Sequence, residues 1–244
     1  MYKRQLKYIL ISEYLKKGII TKFGTESSSR TAVIKNGIDT TSANLTLTSL
    51  EKKELRNNLG LKHSDYVVIF VGRIVKEKGI KEVLEAFEMI NENNIKLLIL
   101  GGTEFANNVQ SRFEQEIKDK CRKLQDKVIF TGYIDHEDVW KYYQISDLAL
   151  LPSMWEEPAG LTIIEAMCNG IPVITTNSGG IPEYMNDKYG VMLNRTPKIA
   201  EEIVFSINKF YNKEIKVDTN SERKYVLNNF TEENFYNSFV KLLK

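Results

Sequence analysis

The stretch YVVIFVGRIVKEKGIKEVLEAFEMI, residues 66–90, predicts the fold because it joins a buried strand to an amphipathic helix. Its first part, YVVIFVG, is a continuous apolar run, which is typical of a strand covered on both faces. Apolar residues then recur at helical spacing, at Ile80, Val83, Leu84 and Phe87. A buried strand followed at once by such a helix indicates one half of a βαβ unit.

The same alternation continues along the chain. Further strands are predicted from the segments IKLLILGG, KVIFTG, DLALLP, IPVITT and GVMLN. The intervening helices are a charged one ending near Lys123, HEDVWKYYQI, LTIIEAMCNG closed by Gly170, and a short one from Ile181. This order predicts an α/β fold with a doubly wound, Rossmann-like parallel sheet. Ligands of such sheets bind outside the carboxyl ends of the strands.

The two ends of the chain depart from this pattern. Residues 1–40 read as strand, helix and short strand, too little for a core, so we interpret them as the remnant of a second domain with its hinge. Residues 41–65 are a polar linker with one helical piece, and residues 66–228 form the Rossmann-like domain. Residues 229–244 are predicted to be a C-terminal helix that packs towards the N-terminal domain.

Charge and hydropathy exclude several classes of protein. The 34 basic and 32 acidic residues are mixed along the chain, which argues against a nucleic-acid partner. No segment has the roughly 18 apolar residues of a membrane span, so we expect a cytoplasmic protein. The basic start favours a solvated face, and peripheral contact with an anionic membrane surface is the alternative. Its residues are Lys3, Arg4, Lys7, Lys16, Lys17 and Lys22.

The cysteines and histidines give little sign of a reactive site. Cys121 and Cys168 lie in helical patterns without CxxC spacing, which favours reduced packing residues over a disulfide or a metal site. His63 falls in the linker and His136 at a helix start, so we interpret both as structural or solvent-facing.

Cations and unpaired amides follow two of the predicted strands. Arg73 and Lys78 lie on the loop after YVVIFVG, where two positive charges beside a helix start suit a diphosphate. The amides of Gly160, Leu161 and Thr162 open another helix and offer a second phosphate cradle. Taken alone, the two cations are better interpreted as surface charges of the loop, since Arg and Lys are common on loops. Neither GxxxxGK[ST] nor GxGxxG occurs, which disfavours a P-loop enzyme and a nicotinamide oxidoreductase.

The segment SMWEEPAGLTIIEAMCNG, residues 153–170, carries two carboxylates. Glu165 lies in the first turns of the helix, where its carboxylate could accept hydrogen bonds from a vicinal diol. The alternative is that it only interacts favourably with the positive end of the helix dipole. Glu157 lies in the preceding loop and could face another part of the same ligand. Glu156 is interpreted as a solvated neighbour.

Together these motifs resemble a known family. VGRIVKEKG followed by EPAGLTIIEAMCNGIPVITTNSGGIPE closely resembles the nucleotide-sugar-binding half of family 4 glycosyltransferases, retaining enzymes of the GT-B fold. VIKNGID, LLILGG, VIFTGYI and SDLALLPS recur in the same order, and the resemblance covers about residues 7–244. It implies the C-terminal half of a GT-B glycosyltransferase with only a remnant of the N-terminal domain.

The resemblance also implies a role for each site residue. Arg73 and Lys78 would bind the donor diphosphate and stabilise the charge on the leaving group. Glu165 would hold the ribose, and Glu157 would contact the transferred sugar. The implied catalytic residues are Arg73, Lys78 and Glu157. Tyr133 and Ile134, which follow the predicted strand KVIFTG, would meet the nucleobase largely through backbone groups. The full set of implied donor-binding residues is Gly72, Arg73, Lys78, Tyr133, Ile134, Glu157, Ala159, Gly160, Leu161, Thr162 and Glu165.

The activity implied is transfer of a hexosyl or N-acetylhexosaminyl group, with retention, from a UDP-linked or other nucleotide sugar to a polysaccharide or lipid-linked acceptor. No cofactor is expected, and the absence of a DxD motif agrees with metal independence. The resemblance implies that this sequence holds little of the acceptor domain, so we expect the chain alone to bind a nucleotide but to transfer poorly. The alternative is a non-catalytic nucleotide-sugar-binding subunit, or a truncated remnant, that needs a separately encoded N-terminal partner. A GT-B sugar epimerase fits the Glu-x7-Glu segment less well.

Overall fold

The computed structural model describes residues 7–41, 45–102 and 112–243. The strands are β1 (Tyr8–Leu10), β2 (Thr31–Val33), β3 (Tyr66–Val71), β4 (Ile95–Leu100), β5 (Val128–Gly132), β6 (Leu148–Leu151), β7 (Val173–Thr176) and β8 (Gly190–Leu193). The helices are α1 (Glu13–Phe23), α2 (Ser49–Asn58), α3 (Ile80–Met89), α4 (Arg112–Lys123), α5 (His136–Tyr143), α6 (Leu161–Cys168), α7 (Ile199–Tyr211), α8 (Thr219–Asn229) and α9 (Glu232–Leu243). Within these residues, no helix is long and apolar enough to cross a membrane.

The main sheet has six parallel strands in the order β5-β4-β3-β6-β7-β8. The chain runs outward from β3 to β4 and β5 and then returns to the other side of β3 for β6, β7 and β8. The predicted doubly wound α/β sheet is therefore confirmed. The reversal of direction opens a crevice between the carboxyl ends of β3 and β6, where this class of sheet binds ligands.

Alternate residues of β3 belong to two separate cores, one on each face of the sheet. Val67 and Ile69 pack into the core that includes residues of α5, α6 and α8. Val68 and Phe70 pack into the other core, which includes residues of α3, α4 and α7. All four side chains are at most 1% exposed, because helices cover both faces. This burial explains why β3 is apolar throughout rather than alternating.

The N-terminal segment is fixed to the Rossmann-like domain through the start of α1. The carboxylate of Glu183 accepts hydrogen bonds from the backbone N–H groups of Glu13 and Tyr14, both at 2.8 Å. The Tyr184 hydroxyl donates to the carbonyl of Ile11 at 2.7 Å. A carboxylate at the first turn of a helix meets its unpaired amides and its dipole, so this contact stabilises the docking.

Residues 33–39, the VIKNGID stretch that we call the hinge segment after its predicted role, also meet the start of α9. The amide of Ile38 donates to the Phe230 carbonyl at 2.8 Å, and Ile38 forms an isolated parallel bridge with Thr231. The chain approaches so closely that a Cβ on Gly37 would lie 2.2 Å from the Thr231 carbonyl oxygen. The division into remnant, linker, domain and C-terminal helix stays a prediction, as does the packing of residues 229–244 against an N-terminal domain.

Of the basic start, Lys3 and Arg4 lie outside the described residues, whereas Lys7 and the lysines of α1 lie within them. Both cysteines are buried free thiols, in agreement with the interpretation as packing residues. Burial raises the pKa of each thiol to about 11, so both are protonated at neutral pH.

Candidate functional site

The loop after β3 brings one exposed and one half-buried cation to the crevice. The chain turns at Gly72 and Arg73, passes through a short 3-10 turn at Lys76–Lys78 and enters α3 at Gly79. The exposed Arg73 guanidinium makes no hydrogen bond or ion pair to any residue that the structure describes, so it is available to a ligand.

Gly79 lets this loop lie against the loop after β6. It has a left-handed φ of +71°, and a Cβ here would lie 3.0 Å from the Pro152 side chain. The amide of Met154 donates to the Glu77 carbonyl at 2.8 Å, which ties the two loops together. The loops on either side of the crevice therefore form one connected unit.

Three donors converge on one oxygen of Glu157. Its Oε2 lies 2.7 Å from Lys78 Nζ, 3.0 Å from Trp155 Nε1 and 3.3 Å from Ser153 Oγ. The Glu157 side chain is 15% exposed and that of Lys78 25% exposed, so the pair is shielded from water more than a surface salt bridge is. An ammonium group has three protons, so Lys78 can pair with Glu157 and still donate to a phosphate.

A second set of contacts, from residues that follow β7 and β8, fixes the backbone and the neighbouring side chain of the Glu157 loop. The Gly180 amide donates to the Glu157 carbonyl at 2.7 Å, and the Gly179 amide donates to Glu156 Oε2 at 2.7 Å. Arg195 adds an ion pair with Glu156 to these contacts. Hydrogen bonding to Arg195 is the main reason that the pKa of Glu156 lies below its ordinary value. Glu156 is thus exposed but also anchors the loop, beyond the solvated role expected of it.

Helix α6 starts without a side-chain cap. Gly160 is its N-cap residue, with φ −118° and ψ 62°. In the part of the chain that the structure describes, the amides of Gly160, Leu161 and Thr162 have no hydrogen-bond acceptor. Such amides at the positive end of a helix suit an anion. The Tyr143 hydroxyl steadies this turn by donating to the Thr162 carbonyl at 3.2 Å.

Two of the cavities in the described part of the chain lie on either side of the start of α6. The cavity on the Glu157 side has a volume of 280 Å³ and includes Lys78, Trp155, Glu157 and the residues from Ala159 to Thr162 in its lining. Ala159 is buried and Leu161 is exposed at the opening. Asn36 of the hinge segment also lines it, so residues outside the Rossmann-like domain contribute to this wall.

The cavity on the other side has a volume of 460 Å³ and is lined by Gly72, Arg73, Tyr133, Ile134, His136 and Glu165. Tyr133 is 56% exposed, so its ring and the adjacent backbone are open to a ligand. Gly101 has a φ of +149°, and a Cβ on it would lie 1.8 Å from the Gly72 carbonyl oxygen. The backbones after β3 and β4 therefore approach as closely as glycine allows.

Glu165 and His136 meet between α6 and α5. His136 Nε2 lies 3.3 Å from Glu165 Oε1, and the Glu165 side chain is 19% exposed. This hydrogen bond is the main reason that the pKa of His136 is raised above 6.5. Since a carboxylate can only accept, the shared proton is on the histidine nitrogen.

All eleven residues predicted for the donor site lie around this crevice, in one or the other of the two cavities. Three contacts were missed by the sequence reasoning. Ser153 and Trp155 were signalled by their closeness to Glu157 along the chain. His136 lies two residues after Ile134, but nothing in the sequence links it to α6.

Comparison with known proteins gives the family. Residues 51–227 match the family described as Glycosyl transferases group 1. An uncharacterised glycosyltransferase of Methanocaldococcus jannaschii is 28% identical over an alignment of 225 positions, which covers 91% of this chain and 53% of that protein. The capsular polysaccharide biosynthesis glycosyltransferase CapM of Staphylococcus aureus is 30% identical over an alignment of 249 positions, which covers 96% of this chain and 62% of that protein. The chain spans about half the length of the curated relatives it matches.

Among solved structures, Anabaena HepE in complex with UDP superimposes with a TM-score of 0.84 at 22% identity, covering 98% of this chain and 63% of that one. This likeness confirms the fold, a domain of a GT-B glycosyltransferase. The family match covers most of the chain and includes the loops after β3, β5 and β6. The chain therefore belongs to the group 1 glycosyltransferases.

Proposed function

We propose that this chain is the donor-binding half of a retaining glycosyltransferase. It would take a hexosyl or N-acetylhexosaminyl group from a nucleotide sugar, with UDP the first candidate, and deliver it to a glycan or lipid-linked acceptor. The observation that carries the proposal is the pair of cavities on either side of the α6 start, one lined by Glu157 and the other by Glu165. A ligand reaching both would have its diphosphate at the uncapped amides between them.

The cations support the diphosphate position. Arg73 lines the cavity on the Glu165 side and Lys78 the cavity on the Glu157 side. In glycosyl transfer the bond between the anomeric carbon and the β-phosphate oxygen breaks, and negative charge grows on that phosphate. Fixed cations and helix amides stabilise this charge without reorganising. Since they meet the charge on the diphosphate, we propose that no metal is required.

The two carboxylates support the positions of the sugars. Glu165 offers acceptor oxygens to the ribose diol, while Tyr133 and Ile134 would meet the nucleobase at the outer end of the same cavity. Glu157 has its Oε2 occupied by three donors, which leaves Oε1 to accept from hydroxyls of the transferred sugar. The CapM relative acts in capsular polysaccharide biosynthesis by name, which makes a polysaccharide acceptor the first to test.

Isothermal titration calorimetry with UDP, ADP and GDP, each with and without EDTA, tests the proposal. One nucleotide should bind, with an affinity that EDTA does not change. Arg73→Ala and Lys78→Ala should each weaken binding about tenfold or more, the loss of a charge-assisted hydrogen bond. Lys81→Ala is the matched control, because Lys81 pairs with Glu85 on the outer face of α3. Failure of all three nucleotides to bind, or equal effects in the three variants, would contradict the donor-site assignment.

A further inference from the structure

His136 is the one side chain, within the described residues, whose hydrogen bond reaches the carboxylate of Glu165. The two residues come from different helices, with His136 the first residue of α5 and Glu165 in the middle of α6. The histidine ring is 78% exposed, so neither packing nor a buried network explains its place. Glu157, by contrast, is fixed by three donors.

The surroundings of His136 are mainly acidic. The hydrogen bond from its Nε2–H to Glu165 is the largest cause that raises the pKa of His136, and the charges of Glu165, Asp39 of the hinge segment and Glu137 of α5 raise it further. Two other charged groups lie near His136. Arg73, from the β3 loop, lines the cavity on the Glu165 side together with His136. Glu232, at the start of α9, lines a separate cavity of 370 Å³ together with His136, Glu165 and Asp39. Carboxylates from three elements therefore favour the charged form of the imidazole.

We propose that His136 is a positioning residue for the donor: its N–H fixes Oε1 of Glu165 so that the remaining lone pairs of the carboxylate face the ribose hydroxyls. The inference rests on the proposed function, since it assumes a nucleoside diphosphate in the cavity that Arg73 and Glu165 line. A glutamate carboxylate rotates freely about its last bond unless something holds it. Holding it in advance lowers the cost of ordering when the ribose binds.

The test compares UDP with 2′-deoxy-UDP by calorimetry. Their affinity ratio isolates the ribose 2′-hydroxyl, because base and diphosphate are the same. We expect wild type to prefer UDP about tenfold, as for a hydrogen bond to a charged group. His136→Ala should reduce this preference to about threefold or less, and His136→Gln, which keeps an N–H donor, should restore most of it. If ADP or GDP is the nucleotide that binds, it is compared with its own 2′-deoxy form.

His63→Gln is the matched control, since His63 is exposed in the linker and lines neither cavity. Its UDP preference should equal that of wild type. The pH dependence is a second readout: the wild-type preference should decline as pH rises through the raised pKa of His136, because a neutral imidazole is a weaker donor. The preference in His136→Gln should stay constant.

The possible failures are distinct. If His136→Ala weakens UDP and 2′-deoxy-UDP equally, the residue acts on the fold of the site rather than on Glu165, and the inference is wrong. An unchanged ratio at unchanged affinity overturns it as well. In both cases the chain still binds nucleotide, so the proposed function survives. Absence of binding to every nucleoside diphosphate overturns the two together.

Discussion

Gly179 is the residue through which the turn after β7 fixes the loop that carries Glu157, and replacing it by alanine should be costly. Its φ is +56°, and a Cβ would lie 2.2 Å from the Glu157 carbonyl oxygen and 2.7 Å from the Glu157 amide nitrogen. Backbone atoms cannot turn aside as a side chain can, so the loop must move by about 1 Å to reach ordinary contact. The movement would strain the hydrogen bond from Gly180 to Glu157, which is 2.7 Å long.

The magnitude follows from three contributions. A left-handed φ costs alanine about 1 kcal/mol, the overpacked contact costs about 1 kcal/mol or more, and the strained hydrogen bond costs about 1 kcal/mol. Gly179→Ala should therefore lower the free energy of unfolding by about 3 kcal/mol. For a chain of this size that lowers the Tm by roughly 6–12 °C. Differential scanning calorimetry measures it.

Gly60→Ala is the control, because Gly60 has a φ of +72° but nothing within 4 Å of the added Cβ. It should lower the Tm by only about 2–4 °C, the cost of the backbone conformation alone. Gly179→Ala should also weaken the binding of the nucleotide sugar more than the binding of the free nucleoside diphosphate, because the substitution displaces Glu157 and leaves Glu165 in place. Equal decreases of Tm in Gly179→Ala and Gly60→Ala would refute the reasoning, because the close contact with the Glu157 backbone would then have no effect on stability.

Two other perturbations follow from single side chains. Trp155→Phe keeps an aromatic side chain, although a smaller one, and removes the indole N–H that donates to Glu157 at 3.0 Å. Calorimetry should show the preference for nucleotide sugar over nucleoside diphosphate reduced about threefold to tenfold, with the diphosphate itself bound as before. A parallel loss for both ligands would contradict a contact confined to the sugar. Both oxygens of Glu222 are buried without a hydrogen-bond partner in the described chain, and burial raises the pKa of this carboxyl from 4.5 to about 9. The folded state keeps the proton that the unfolded chain loses near pH 4.5, so stability should fall between about pH 4.5 and 9, by up to about 1.4 kcal/mol per pH unit. Urea unfolding at pH 5 and pH 8 should show a smaller decline in Glu222→Gln than in wild type, and equal declines would mean that Glu222 is hydrated in the folded protein.

The fold could be read from the sequence because burial on both faces leaves a local signal. β3 is apolar at every position, and α3 repeats its apolar residues at helical spacing, so element types and their order needed no tertiary information. The same order places the polar residues that follow each strand at one edge of a parallel sheet. The sequence alone therefore places Arg73, Lys78, Glu157 and Glu165 at the same edge of the sheet.

The pairing of side chains within that group was decided by the tertiary structure alone. Lys78 and Glu157 are 79 residues apart in the sequence. Their contact depends on the pairing of β6 with β3 rather than with a strand that is closer to β6 in the sequence. His136 and Glu165 lie on helices that meet only because α5 and α6 pack on the same face of the sheet. Strand order and helix packing arise from the sum of many apolar contacts, which no local segment encodes. The sequence by itself determined which charged and polar groups lie at the edge of the sheet, and the tertiary structure decided which of their atoms are in contact.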